Sequence, residues 1–283
     1  MYKHYETKLL KIGFFFKPLI APVKGQSLYK ANLHPDEELI VIERNREYRS
    51  LLAREMAYHH IAQGEMAGEP YLVTFWAPCN SGVGLTPVIN GKTHHFRPYG
   101  LLNGLVILID RETHSLWDHI TGEAIDGPLQ GHQLDVWPIQ ITTVQAALVE
   151  YPNIGVSFST NRSIRKWFAG TLYAKFIHAK ILLPFFFRWT MQRDPDPRLP
   201  ELTQGLGVIV DGRAKYYPLS TIPSDGIVDR WLNRALRVEC SKNDGVPHAF
   251  WDDTNEQPMQ LLTRWYGFAF TYHNCEIYTS SAW

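Results

Sequence analysis

The sequence predicts an α+β protein that is predominantly β, with mixed antiparallel sheets, a barrel-like core, an internal duplication and a few helices. Three observations predict this class. Short runs of apolar, β-branched and aromatic residues recur along the chain, with turn-forming residues between them. Aromatic residues make up 13% of the chain, which favours strands. Two segments near the end repeat patterns from the first half.

The composition excludes several classes of protein. With 45% hydrophobic and 20% charged residues, the chain is typical of globular proteins. Basic and acidic residues number 28 each, so no overall field attracts nucleic acid. The three cysteines do not suggest a disulfide framework, which predicts a reducing, cytoplasmic location. We predict no signal peptide, because Lys17 and two prolines interrupt the N-terminal apolar run, and no transmembrane segment.

The domain organisation follows from shifts in this pattern. Residues 1–35 predict an N-terminal arm, 36–160 a first β-rich lobe that carries the candidate site, and 161–200 a helix and linker. Residues 201–283 predict a second lobe that repeats the hairpin plan. The two lobes could equally form one continuous domain.

The first lobe is predicted to begin with a hairpin over residues 38–49 and to continue with a short helix over 50–63. The apolar run over 71–75 predicts a buried central strand. Asn90-Gly91 is a strong two-residue turn signal, and 94–97 is its predicted partner strand. Further strands are predicted over 83–89, 105–109, 115–119, 134–144 and 154–158.

The segment 161–181 changes to helical spacing, with its apolar residues on one face and its lysines off that face. A helix that caps the sheet is one interpretation. A patch over 164–189 that contacts a membrane surface or a partner is the other. In the second lobe, the hairpin over 207–218 resembles 39–49, and 266–278 resembles 144–156.

The central strand leads into a turn that contains a cysteine. Pro78 ends the ladder, and Cys79 follows beside Asn80, Ser81 and Gly82. A thiol at the mouth of a buried strand is a candidate for reactivity or metal binding, and core filler is the alternative.

These residues resemble a known family. The ordered elements are the Val73-Thr-Phe strand with its Pro-Cys turn, Asp110-Arg, Ser115-Leu-Trp and Gly127-Pro. Over residues 36–158 the chain is similar to the uncharacterised family catalogued as domain of unknown function 3179, and later parts resemble segments of longer members. The resemblance implies a fold and a site location, and it supplies no established activity.

The chain departs from the family pattern at positions that bear on chemistry. Members usually carry two cysteines in the turn, and Trp76 replaces the first while Cys79 keeps the second. The family's His-Glu pair matches His59-His60, so only the histidine survives. The residue two beyond the Ser-Leu-Trp tryptophan is usually glutamine, and here it is His119.

The leading hypothesis is an enzyme that performs metal-assisted, oxidative chemistry on a small molecule. His59, Cys79 and His119 are its predicted catalytic residues and metal ligands, because imidazole and thiolate suit copper, iron or zinc. The predicted substrate-binding residues are Trp117, Tyr99, Phe75 and Asn80.

Two alternatives stay open. In the first, Cys79 is a metal-free nucleophile with His59 or His119 as its base, and Asn80 helps to stabilise an oxyanion. In the second, the chain is a non-catalytic scaffold or small-molecule binder in which Cys79 is inert.

Overall fold

The computed structural model describes residues 5–11, 16–22, 24–161, 167, 170–171 and 185–279. It confirms the β-rich α+β class. The chain divides into two compact units, Met1–Asp194 and Pro195–Trp283, and each is described by itself.

Short strands dominate the described part of the first unit. They are β1 (Leu10–Lys11), β2 (Leu19–Ile20), β3 (Gln26–Ser27), β4 (Glu38–Arg44), β5 (Glu47–Leu52), β6 (Ile61–Met66), β7 (Glu69–Thr74), β8 (Gly84–Thr86), β9 (Val88–Ile89), β10 (Lys92–Thr93), β11 (Phe96–Leu102), β12 (Leu105–Asp110), β13 (Leu116–Asp118), β14 (Ala124–Asp126), β15 (Asp135–Trp137), β16 (Gln140–Thr143) and β17 (Gly155–Ser157). The α-helices are α1 (Ala53–His59), α2 (Val144–Glu150) and α3 (Phe185–Thr190), and short 3-10 helices cover Tyr5–Thr7, Tyr29–Ala31 and Ala77–Cys79.

Three five-stranded sheets organise the first unit. Their strand orders are β16-β4-β5-β17-β3, β15-β8-β7-β6-β2 and β1-β11-β12-β13-β14, and β9 pairs separately with β10. Most neighbours are antiparallel, whereas β17 runs parallel to β5 and β2 parallel to β6. The apolar side chains of the first sheet pack against α2, where Leu39, Val41 and Val144 are buried together. The four consecutive apolar residues Leu39–Ile42 of β4 are all buried, so this strand is covered on both faces.

The second unit contains β18 (Gln204–Val210), β19 (Arg213–Pro218), β20 (Ile227–Trp231), β21 (Arg234–Cys240), β22 (Pro247–Trp251), β23 (Met259–Arg264) and β24 (Glu276–Ile277), together with helix α4 (Trp265–Thr271) and a 3-10 turn over Leu219–Thr221. One sheet has the order β23-β18-β19-β24, and the other has the order β20-β21-β22.

The two units repeat one arrangement of elements. In the first unit, β16 leads into α2, and β17 then pairs parallel with the second strand of the β4–β5 hairpin. In the second unit, β23 leads into α4, and β24 pairs parallel with the second strand of the β18–β19 hairpin. Both hairpins turn through two residues of positive φ, Asn45-Arg46 and Asp211-Gly212, which matches the twist of the paired strands. The predicted internal duplication is therefore present.

Two predicted elements of the first lobe differ from the observed ones. The helix predicted over 50–63 covers only α1, because β5 continues to Leu52 and His60 ends the helix with φ of 60°. The partner of β9 across Asn90-Gly91 is β10, whereas 96–102 forms β11 and pairs with β12. Short-range patterns do not show which of two successive runs closes a hairpin.

Most of the helix predicted over 161–181 lies outside the described residues. Within this segment, the described residues Trp167, Gly170 and Thr171 are helical. Within the part of the chain that the structure describes, each helix is too short or too polar to cross a bilayer.

Candidate functional site

The turn after β7 is tightly built around Trp76. The Trp76 amide donates to the Ser81 carbonyl at 2.8 Å, and Phe75 donates to the His60 carbonyl at 2.8 Å. Asn80 takes a left-handed conformation with φ of 50°, which asparagine tolerates better than most residues. A Cβ at Gly82 would lie 1.9 Å from the Thr74 carbonyl oxygen, so the close approach of the two backbone segments requires glycine.

Cys79 is fully buried in this turn. Its thiol donates to the Trp76 carbonyl at 3.3 Å, and its sulfur lies 2.7 Å from the Ser81 hydroxyl oxygen. These contacts hold the side chain in place and keep it from solvent.

His59 ties α1 to two distant segments. Its Nδ1 lies 2.5 Å from the Lys17 carbonyl oxygen, and its Nε2 lies 2.7 Å from the Ser159 hydroxyl. The Ser159 amide in turn donates to Glu55. Both ring nitrogens are therefore occupied by protein groups, and this arrangement is structural.

The neighbouring His60 has a different environment. Its ring lies between Phe16 and Trp76, with centroid distances of 4.4 and 4.9 Å. Neither ring nitrogen has a hydrogen-bond partner within the described part of the chain, although both are buried. Burial, followed by repulsion from His59 and His119, lowers the pKa of His60 to about 3, so the ring stays neutral.

His119 is also buried, and the residues that the structure describes offer no hydrogen-bond partner to its ring nitrogens. Thr74 donates to its main-chain carbonyl at 2.9 Å, which places the residue beside the end of β7. Burial lowers the pKa of His119 to about 4, although the Asp118 carboxylate and the nearby Val106 carbonyl oppose this effect. The Val106 carbonyl does not reach hydrogen-bond geometry with either ring nitrogen.

The main-chain carbonyls of His60 and His119 are both held at the end of β7, where they accept hydrogen bonds from the Phe75 amide and the Thr74 hydroxyl. His59 and His119 both contribute to the low pKa of His60, so the three histidines lie near one another. The Asn80 side-chain oxygen in the adjoining turn is also buried and has no partner among the described residues. An unpaired buried polar atom costs about 1–3 kcal/mol, so these atoms call for a water molecule or a ligand as their partner.

The predicted substrate-binding residues do not form one group. Phe75 is a core residue beside His60, and Asn80 lies in the cysteine turn. Trp117 is buried, donates from its indole to Asp110 and packs edge-on against Phe96. Tyr99 packs with the cluster that contains Tyr5, at another place on the third sheet.

Among the described residues, the only three-residue group of potential ligands whose atoms all lie within 4.8 Å of one another is His94, Asp110 and Glu112. By this measure neither His59, Cys79 and His119 nor His60, Cys79 and His119 form a preformed three-ligand site, so a metal held by either set would require side chains to turn toward it. The sequence alone did not identify the group at Asp110 as a possible metal centre.

Asp110 in this group has a structural role. Its carboxylate accepts hydrogen bonds from the Thr113 amide and hydroxyl, the Ser115 amide, the Trp117 indole and the His94 ring. Burial alone would raise the pKa of Asp110, but these hydrogen bonds hold the pKa below its ordinary value. A carboxylate offers about four lone-pair positions, so five donors leave none for a cation.

Fold and site define this chain as a two-unit, β-rich protein with a buried pair of neutral histidines in the first unit. It belongs to the family described as protein of unknown function (DUF3179), whose model matches residues 16–274. The match confirms the resemblance and extends it into the second unit. No curated protein and no solved structure matches the chain.

Proposed function

We propose that the first unit binds a transition-metal ion through ring nitrogens of His60 and His119 and uses it in oxidative chemistry on a small molecule. The observation that carries the proposal is that the four ring nitrogens of two buried histidines have no hydrogen-bond partner among the described residues. A metal ligand must be a neutral imidazole, and the lowered pKa values of both residues keep them neutral.

The departures from the family pattern support the same location. The residues that replace the family's glutamate, first cysteine and glutamine are His60, Trp76 and His119. His60 packs against Trp76 and interacts with His119. Replacements at distant sequence positions therefore meet at one place, as expected when a site changes its donor set.

Cys79 is the third donor in this proposal. Its thiol would exchange the Trp76 carbonyl for the metal and lose its proton on binding. Imidazole and thiolate together suit copper, and zinc supplies no redox chemistry. Copper therefore ranks first for the proposed oxidative chemistry, because it supplies one-electron steps.

Metal analysis of the purified full chain tests the proposal. We expect the protein to retain one copper ion per chain when a copper(I) chelator competes for it. We expect the variants His60→Phe and His119→Gln to lose this copper ion. The second variant restores the residue that is usual in the family. Exposed His132 and the Asp110-bound His94 provide the control variants His132→Gln and His94→Gln, which should keep the ion. Absence of stoichiometric metal, or loss only in His94→Gln, would reject the assignment.

Metal-free catalysis by Cys79 is the second candidate, and the contact with Ser81 is the observation that favours it. The burial of Cys79, however, predicts that its thiol is not reactive. Because Cys79 is fully buried and donates to a carbonyl, whereas Cys240 is only partly buried, we expect an alkylating reagent at neutral pH to label Cys79 more slowly than Cys240. Peptide mass spectrometry over a time course measures both rates. Faster labelling of Cys79 would favour the nucleophile over the metal ligand.

A further inference from the structure

The hydrogen bonds that anchor His59 also pair its ring with a serine hydroxyl. The Ser159 Oγ, just after the end of β17, lies 2.7 Å from the His59 Nε2, and the His59 Nδ1 lies 2.5 Å from the Lys17 carbonyl oxygen. Ser159 is partly exposed, whereas His59 is buried. A reachable hydroxyl beside a base, with the base oriented by a third group, is the arrangement of an activated nucleophile.

The partners of these atoms fix the direction of each hydrogen bond. A carbonyl oxygen only accepts, so in the neutral ring of His59 the proton is on Nδ1, and Nε2 presents a lone pair. The Asn161 amide donates to the Ser159 Oγ at 3.1 Å, which uses one acceptor position of this oxygen. The single hydroxyl proton of Ser159 therefore points to the His59 Nε2, as general-base catalysis requires.

Helix α1 holds both members of this pair in place. Glu55 and His59 are four residues apart on this helix and lie on one face of it. The Glu55 carboxylate accepts a hydrogen bond from the Ser159 amide at 2.7 Å, while His59 contacts the Ser159 hydroxyl. Because two contacts from one helix face fix one residue, the hydroxyl and the imidazole already have the geometry for reaction.

Aromatic rings flank the pair. The Tyr58 and His59 rings meet edge-on with a centroid distance of 5.0 Å, and the Phe16 ring lies 5.9 Å from the Tyr58 ring. Phe16 is partly exposed and directly precedes Lys17, whose carbonyl orients His59. Apolar surface beside a nucleophile favours a substrate with an apolar group next to the reacting carbon.

We propose that Ser159 and His59 are the nucleophile and the general base of an esterase site for small carboxylic esters with an apolar acyl group. The Ser159 Oγ attacks the carbonyl carbon, and its proton passes to the His59 Nε2. The ester C–O bond then breaks, the leaving alcohol takes this proton, and the acyl group stays on Ser159. A water molecule attacks the acyl-serine and releases the carboxylic acid, and one water proton returns through His59 to the serine oxygen. Water is the only co-reactant, so this activity is independent of the proposed metal chemistry.

Reaction of the full chain with diisopropyl fluorophosphate, in the presence of a chelator, tests the nucleophile. The serine oxygen displaces fluoride at phosphorus, and peptide mass spectrometry locates the adduct. We expect Ser159 to be the modified residue, and we expect unfolding in urea to abolish the reaction, because the pairing with His59 is lost. Ser159→Ala should remove the modification, whereas Thr160→Ala, which removes an exposed hydroxyl next to it, should keep it.

The variant His59→Gln separates catalysis from structural support, because glutamine can accept the Ser159 hydrogen bond but is not a base. We expect this variant, with its fold checked by circular dichroism, to slow both the modification and the hydrolysis of para-nitrophenyl butyrate at least about 100-fold. Absence of a Ser159 adduct in the folded, unaltered chain would overturn the proposal. Ester hydrolysis at the same rate in Ser159→Ala, or equal rates in His59→Gln and the unaltered chain, would overturn it as well.

Discussion

The metal-free protein is expected to lose about 4 kcal/mol of unfolding free energy between pH 7.5 and pH 5. His60 and His119 are fully buried and have folded-state pKa values of about 3 and about 4. In the unfolded chain a histidine has a pKa of about 6.5. Below that value the unfolded state binds protons that the folded state does not, so stability falls as the pH falls. Each histidine contributes about 2 kcal/mol over this range.

Between pH 7.5 and pH 5 histidines of the unfolded chain take up protons, whereas most carboxylates, with ordinary pKa values near 4, do not. Denaturant unfolding in the presence of a chelator, at closely spaced pH values, measures the slope. His60→Phe should remove about half of it, since phenylalanine has no proton to gain. His132→Gln, at an exposed position, should leave it unchanged. A flat profile above pH 5 would show that the two rings are solvated or paired.

Asp110→Ala is expected to destabilise the first unit by about 4 kcal/mol. The substitution leaves the buried Trp117 indole and the Ser115 amide without their acceptor and releases the turn that Thr113 closes. Hydrogen bonds to a charged acceptor contribute about 1.5–3 kcal/mol each and do not add fully. This loss is therefore large for a single substitution.

Chemical denaturation, followed by hydrogen exchange of the Ser115 amide, measures the effect of this substitution. Asp110→Asn keeps one acceptor oxygen and should lose about half as much stability. Asp135→Ala removes an exposed carboxylate and should stay within about 0.5 kcal/mol. A change below about 1 kcal/mol in Asp110→Ala would contradict the structural role and would reopen the group with His94 and Glu112 as a metal site.

Much of the fold follows from local patterns in the sequence. The hairpins at 38–52 and 204–218 are predictable because short apolar runs flank residues that accept positive φ. The duplication is predictable because the second hairpin repeats the first. Helix α4 shows the limit of such patterns: Trp265, Tyr266 and Phe268 have strand-type propensity, and burial of the helix on all sides overrides it.

The site could be predicted only in part. The Pro-Cys turn locates Cys79, and the family pattern locates His119. The choice between His59 and His60 could not be made from sequence, because adjacent residues at a helix end point in different directions and the sequence does not show where the helix ends. His60 takes the left-handed conformation that ends α1, and this turns its ring toward Trp76. Partners for His59 at Lys17 and Ser159 depend on contacts between distant segments.

Anomalous diffraction at the copper edge from copper-loaded crystals tests the central claim most directly. The account predicts one strong peak within about 2 Å of a ring nitrogen of His60 and of His119, with the Cys79 sulfur turned from the Trp76 carbonyl toward it. A peak beside His94 and Glu112 instead, or loaded crystals without a peak between the two buried rings, would contradict it.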